Sequence, residues 1–200
     1  MNFNVKTIRK DFEMLDGNQF YRKYIADNTN WYFSKYPSRK HYTPEKSLDV
    51  LRTIVSETTG VSYRSVHMVG SAKLGCSLSP KKLFRRFRES GNKTSDIDIV
   101  IVSLRLFSQF WHRLHDEQPS RNTGIYRRFI IPSIFSGYID GWMIRELDRI
   151  EGEWRQVFST TQKSLQNELR IIHPINFRVY RTWEDFERYH LRGIERLKSQ

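Results

Sequence analysis

Two carboxylates one residue apart, Asp96 and Asp98, stand at the head of a run that continues Ile-Val-Ile-Val to Val102. The run is β-branched almost throughout, which is the composition of a buried central strand. Side chains alternate along a strand, so both carboxylates leave the same face and lie close together. Like charges held that close disfavour each other unless a cation sits between them. Oxygen donors of this kind suit Mg²⁺ or Mn²⁺, whose shell is completed by water and substrate phosphates. The competing structural reading is a solvated strand end, with Asp96 turning beside Ser95. Against it, Asp98 lies within the apolar run, where an unpaired carboxylate is expensive or takes up a proton. Upstream, Val66-His-Met-Val reads as a short strand, broken by Gly70-Ser71 and followed by Lys73 and Leu74-Gly75.

Gly-Ser followed in order by Asp-x-Asp, each beside an apolar strand, resembles the signature of the DNA polymerase beta-like nucleotidyltransferase superfamily. The resemblance covers only about 66–102. It implies that Gly70 and Ser71 anchor the terminal phosphates of an NTP, that Lys73 neutralises them, and that Asp96 and Asp98 bind catalytic Mg²⁺ or Mn²⁺. It further implies transfer of an NMP from the NTP to a hydroxyl of RNA, a tRNA 3′ end among the options, or of a partner protein, as in antitoxin-type members that AMPylate a toxin. A bacterial toxin–antitoxin or phage-defence setting follows from the same resemblance. Members of the superfamily usually carry a third carboxylate on a later strand beside the Asp-x-Asp strand. Here the corresponding strand, Ile175-Asn-Phe-Arg-Val-Tyr180, offers Asn176 and Arg178. Asparagine can ligate a metal but is no base, and arginine repels a metal while attracting phosphate. The missing acid therefore comes from elsewhere, with Asp140 the weaker candidate, or one metal suffices, or the chain is a catalytically inactive nucleotide- or RNA-binding module with a degenerate site.

The chain's balance of charge agrees with a polyanionic partner. Thirty-four Lys and Arg against 22 Asp and Glu give a formal charge of +12 over 200 residues, which favours RNA or DNA, with an anionic membrane surface as the competing explanation, and says nothing about fold. The connection between the two motif halves concentrates cations: Lys81, Lys82, Arg85, Arg86, Arg88 and Lys93, bracketed by 77–80 and 90–92. Relative to compact members of the superfamily it resembles, it looks like an insertion whose cations hold acceptor or nucleotide phosphates, with a solvated basic helix as the alternative. No apolar stretch is long enough to span a bilayer and no secretory segment opens the chain, so no membrane association is expected. The single cysteine, Cys76, excludes an internal disulfide framework and fits a reducing cytoplasm.

Several elements must position these residues. Val5, Ile8, Phe12 and Leu15 predict a short amphipathic helix before Asp16-Gly17. The aromatics from Phe20 to Tyr36, interleaved with Arg22, Lys23, Lys35, Arg39 and Lys40, could stack bases; packing as a helical layer on the sheet is preferred, because large rings dominate core burial. Thr43-Pro44 starts a helix that Gly60 closes, and this helix feeds the Val66 strand. Ser103 caps another, apolar through Leu106, Phe107, Phe110 and Leu114. A polar linker follows over 116–124, then helices marked by Trp142 to Ile150 and by about 154–171. Thr182 caps a closing helix with Phe186, Tyr189, Ile194 and Leu197 on its apolar side. The expectation is one α/β domain: a small mixed sheet built from the Val66, Ile97 and Ile175 strands, flanked by helices. Within it, 1–42 is a helical N-terminal layer, 43–115 the motif-bearing core, 116–172 a helical addition, and 173–200 the last strand and C-terminal helix. Arg105 and His112, with six residues between them on the Ser103-capped helix, match a spacing seen in some toxin nucleases, which would imply a metal-independent ribonuclease; the apolar face of that helix accounts for it without one.

Overall fold

A β-branched run at 97–102, flanked by shorter apolar patterns at 66–69 and 175–180, builds the centre of the molecule. The computed structural model describes residues 4–38, 41–89, 94–116, 123–145 and 147–200. Arg39, Lys40, Lys93, the 90–92 bracket and 117–122 of the linker lie outside the described residues. Among the described residues, four strands form one mixed sheet in the order β1-β2-β4-β3. They are β1 (Val66–Val69), β2 (Ile97–Val102), β3 (Tyr138–Asp140) and β4 (Ile175–Tyr180). β1 runs antiparallel to β2, β2 parallel to β4, and β3 antiparallel to β4. The chain is thus α/β with a mixed sheet flanked by helices.

The alternation of side chains gives the sheet two unlike faces. Ile97, Ile99 and Ile101 of β2, with Phe177 and Val179 of β4, enter the larger core. There they meet the helices Pro44–Thr59, Leu104–Asp116 and Asp148–Leu169, whose Leu51, Phe110 and Leu165 are fully buried. The opposite face carries Val69, Val100, Val102 and Tyr180 into a second core with Phe186, Ile194 and Leu197 of the closing helix, Trp183–Lys198. The N-terminal helix Val5–Met14 adds Ile8 and Phe12 to that core. Phe20, Tyr24, Tyr32 and Phe33 are buried, so the N-terminal rings pack the sheet. Thr43 and Thr182 accept capping bonds from Lys46 and Asp185 at 3.2 Å each, and Gly60 ends its helix at φ +67°.

Three expectations change. The stretch 116–172 is not wholly helical, since Tyr138–Asp140 adds the edge strand β3; three residues are too few for a readable period. Trp142 to Ile150 is not one helix: Gly141–Ile144 is a single turn, and the long helix already begins at Asp148. The alternative of a solvated basic helix also gives way: among its described residues, the connection holds a single 3-10 turn, Pro80–Lys82. Its ends are zipped by a bridge between Cys76 and Arg86 and by bonds from Phe84 N–H and Ser77 N–H to the Ser77 and Arg85 carbonyls. Phe87 anchors it in the larger core against Trp31 and His173. Among the described residues no helix is long and apolar enough to cross a membrane.

Candidate functional site

β1 and β2 bring the two halves of the motif into contact. Val69 is the register partner of Asp98, so the residue after β1, Gly70, lies directly against the Asp98 side chain. Gly70 has φ +70°, and a Cβ built there would stand 2.6 Å from Asp98 Oδ2. Only glycine satisfies both the left-handed backbone and that approach. Gly70–Leu74 then forms one helical turn, closed by Gly75 at φ +76° beneath the Trp31 ring.

Gly70, Ser71, Asp96 and Asp98 share the floor of a cleft of about 1090 Å³. The basic loop forms one wall with Lys82, Arg85, Arg86 and Arg88. Lys81 does not line it. The helical turn also decides the fate of Lys73. Residues two apart on a helix point about 200° from each other, so with Ser71 toward the cleft Lys73 faces inward. Lys73 is 4% exposed and its amine donates to the Asp27 carbonyl, and burial lowers its pKa to about 8. Lys73 is therefore placed as an internal strut, away from the phosphates it was expected to neutralise.

Asp98 is the strained member of the pair. Burial, then the neighbouring Asp96 charge, push its carboxyl up to about 7, and Arg178 offsets part of that. Asn176 is the register partner of Asp98 on β4, the place expected of a third acid. Its amide N–H donates to Asp96 while its oxygen accepts from Arg145 at 3.1 Å. The side chain thus clamps Asp96 instead of directing its oxygen at the acid pair, and it does not line the cleft.

Asp140, the other candidate acid, is 4% exposed and sits on β3 opposite Arg178. The Arg178 guanidinium donates to it at 2.7 Å and lies between the rings of Tyr138 and Tyr189, 5.2 and 5.1 Å from their centroids. Burial works against the Arg178 charge; Tyr180, Asp140 and Tyr189 more than compensate. Asp140 is consequently occupied by an ion pair, which leaves it no role as a base. Arg178 itself reaches the cleft.

Three further cations were not singled out by sequence. Arg188, Arg192 and Arg196 of the closing helix form the wall opposite the basic loop. Their spacing of four was visible, but the helix was read only for its apolar side. Phe135, 87% exposed, stands at the cleft edge. Arg105 and His112 lie elsewhere: Arg105 donates to the Thr59 carbonyl at 2.7 Å and His112 is exposed against Trp111. Neither lines the cleft that holds Asp96 and Asp98.

Among the described residues, no group of three His, Cys, Asp or Glu side chains is placed to hold a metal ion. Asp96 and Asp98 supply two carboxylates to a cleft otherwise walled by cations, a donor set that fits Mg²⁺ when phosphate oxygens and water complete the shell. No protein-family model, curated protein or solved structure matches this chain.

Proposed function

We propose that this protein is a nucleotidyltransferase, its mixed sheet of nucleotidyltransferase type, moving an NMP from an NTP to a hydroxyl of RNA or of a partner protein. The observation that carries the reading is the apposition of Gly70 and Asp98 on the floor of a cation-walled cleft. Asp96 and Asp98 would hold Mg²⁺, which neutralises phosphate charge and polarises the α-phosphate. Ser71 and the backbone at Gly70 seat the terminal phosphates, and the loop arginines supply donors to the remaining oxygens. The acceptor oxygen bonds to the α-phosphorus as the bond to pyrophosphate breaks, and the hydroxyl proton leaves to solvent, since neither Asn176 nor the paired Asp140 can take it. Turnover without a general base is slow, by roughly a hundred- to ten-thousand-fold.

One observation favours a second reading. Asn176 stands where a third carboxylate is expected, and an inactive nucleotide- or RNA-binding module would need none. Calorimetry separates both readings from a purely structural acid pair: Mg²⁺-dependent NTP binding is expected in the wild type and is lost in Asp98→Ala. Equal affinity in both proteins would refute every reading in which this site binds a nucleotide and leave only an RNA-binding module.

A further inference from the structure

Cations on this molecule extend well beyond what one triphosphate can occupy. On the closing helix, Arg188, Arg192 and Arg196 repeat every fourth residue, so they rise along one face about 6 Å apart. Arg188 approaches Asp185 at 3.9 Å, but Asp185 already accepts from Arg181 at 2.8 and 3.1 Å. Among the described residues, Arg192 and Arg196 make no ion pair. Across the cleft the same holds for Arg85, Arg86 and Arg88. Six arginines thus face a common space that also holds Asp96, Asp98 and Asp185, and among the described residues five of the six form no ion pair.

The basic path does not stop at the cleft. Arg86 also lines a second cavity of about 360 Å³, whose other walls are Val5, Lys6, Arg9, Lys10 and Glu13 of the N-terminal helix and the Phe84 ring, three cations against one carboxylate. All three of those cations are exposed, and Arg9 lies 5.2 Å from the centroid of the Phe84 ring. One arginine therefore joins a floor of acids, a two-walled cleft and an outer basic patch into a continuous track. The exposed Phe135 ring at the cleft edge adds an apolar platform beside the cations.

We infer that this track binds a single-stranded nucleic acid, and that, resting on the transferase reading above, its terminal hydroxyl is the acceptor delivered to Asp96 and Asp98. Guanidinium groups at regular intervals match a chain of phosphates, and an exposed ring between cations suits a base face. A single strand fits because its end must reach acids on the floor of a cleft. An acidic peptide would use the cations but leave the ring without purpose.

The test is fluorescence anisotropy with labelled oligonucleotides of about 4 and about 16 nucleotides, each as RNA and as DNA, with duplex RNA and polyglutamate as competitors. Wild type should bind the longer single strands more tightly than the shorter, and more tightly than polyglutamate. Replacing Arg188, Arg192 and Arg196 together by serine should weaken all strands. Replacing Lys6, Arg9 and Lys10 by serine should weaken only the longer ones. In each triple variant the slope of log affinity against log salt for the longer strand should flatten by about two, at about 0.7 per phosphate contact. A preference for RNA identifies the ribose as part of the ligand, whereas equal RNA and DNA binding assigns recognition to the phosphate chain; both support the track. Polyglutamate or duplex binding as tight as the single strand, or unchanged slopes in both folded variants, overturns it. Mg²⁺-dependent NTP binding is measured in parallel. If it is present while strand binding is absent, the inference alone fails; strand binding without an Asp98-dependent NTP site defeats the transferase reading and leaves the track.

Discussion

Asp98→Asn should make the metal-free protein more stable while removing its Mg²⁺-dependent nucleotide binding. The Asp98 carboxyl is held at about 7 against an ordinary value of 3.8, through burial first and Asp96 second. A gap of about three units corresponds to about 4 kcal/mol against the ionised folded form. The carboxylate opens onto the cleft, where solvent screens it, so the expected gain is about 2 kcal/mol at neutral pH. The sign follows from proton counting. Between pH 3.8 and about 7 the folded chain binds more protons at this group than the unfolded chain does. Wild-type stability therefore falls as pH rises through that window, and the amide variant is spared the fall. The difference between the two proteins should vanish by about pH 3 and reach its plateau above about pH 7. Asp96, Asp140, Arg178 and Asn176 face the site in both proteins, so their own contributions largely cancel in the difference. Urea denaturation with EDTA across pH measures it. A variant that is less stable than wild type at pH 7, or a difference independent of pH, would refute the picture of an ionised carboxylate held against its solvation.

Three other predictions follow from the same geometry. Gly70→Ala should lose about 1–2 kcal/mol from the left-handed backbone and should also lose NTP affinity, because the new Cβ displaces Asp98 Oδ2; calorimetry with unaltered affinity would contradict that contact. Lys73→Met should keep NTP binding, its amine being bonded to Asp27, and should lack the stability that wild type gains between about pH 8 and 10.5. That gain arises because the unfolded lysine holds more protons there; a variant with the same high-pH profile as wild type excludes a buried amine. Asn176→Asp should lower metal-free stability by placing a third charge beside Asp96, with Mg²⁺ restoring it in thermal melts, and should speed transfer by up to about a hundredfold if the new carboxylate serves as base. A melt unaffected by Mg²⁺ would remove position 176 from the site.

How far the sequence discloses this arrangement depends on element length. β2 and β4 are six residues each, β2 legible as a β-branched run and β4 as an alternation, and Thr43, Gly60 and Thr182 mark helix ends by hydroxyl caps and a left-handed backbone. The family resemblance set β4 beside β2, and the register of the sheet then pairs Asp98 with Asn176. β3 is three residues long and is defined by its pairing to β4, a non-local fact. Without β3 the ion pair of Asp140 with Arg178 cannot be anticipated, so Asp140 looked available. Lys73 was misjudged for a local reason: a tight turn and a helical turn differ by the direction of the residue two further on. The arginines of the closing helix were legible as a spacing of four. Their meaning required knowing that Phe186 and Ile194 turn toward the sheet, which leaves Arg188, Arg192 and Arg196 along the cleft wall.

The most direct test of the central claim follows the label from an NTP. Purified protein is incubated with Mg²⁺, single-stranded RNA and NTP labelled at either the α- or the γ-phosphate. Transfer at Asp96 and Asp98 predicts α-label on the RNA, none of the γ-label, and no product without Mg²⁺ or with Asp98→Asn. Movement of the γ-label, or α-label transfer that Asp98→Asn leaves intact, would contradict it.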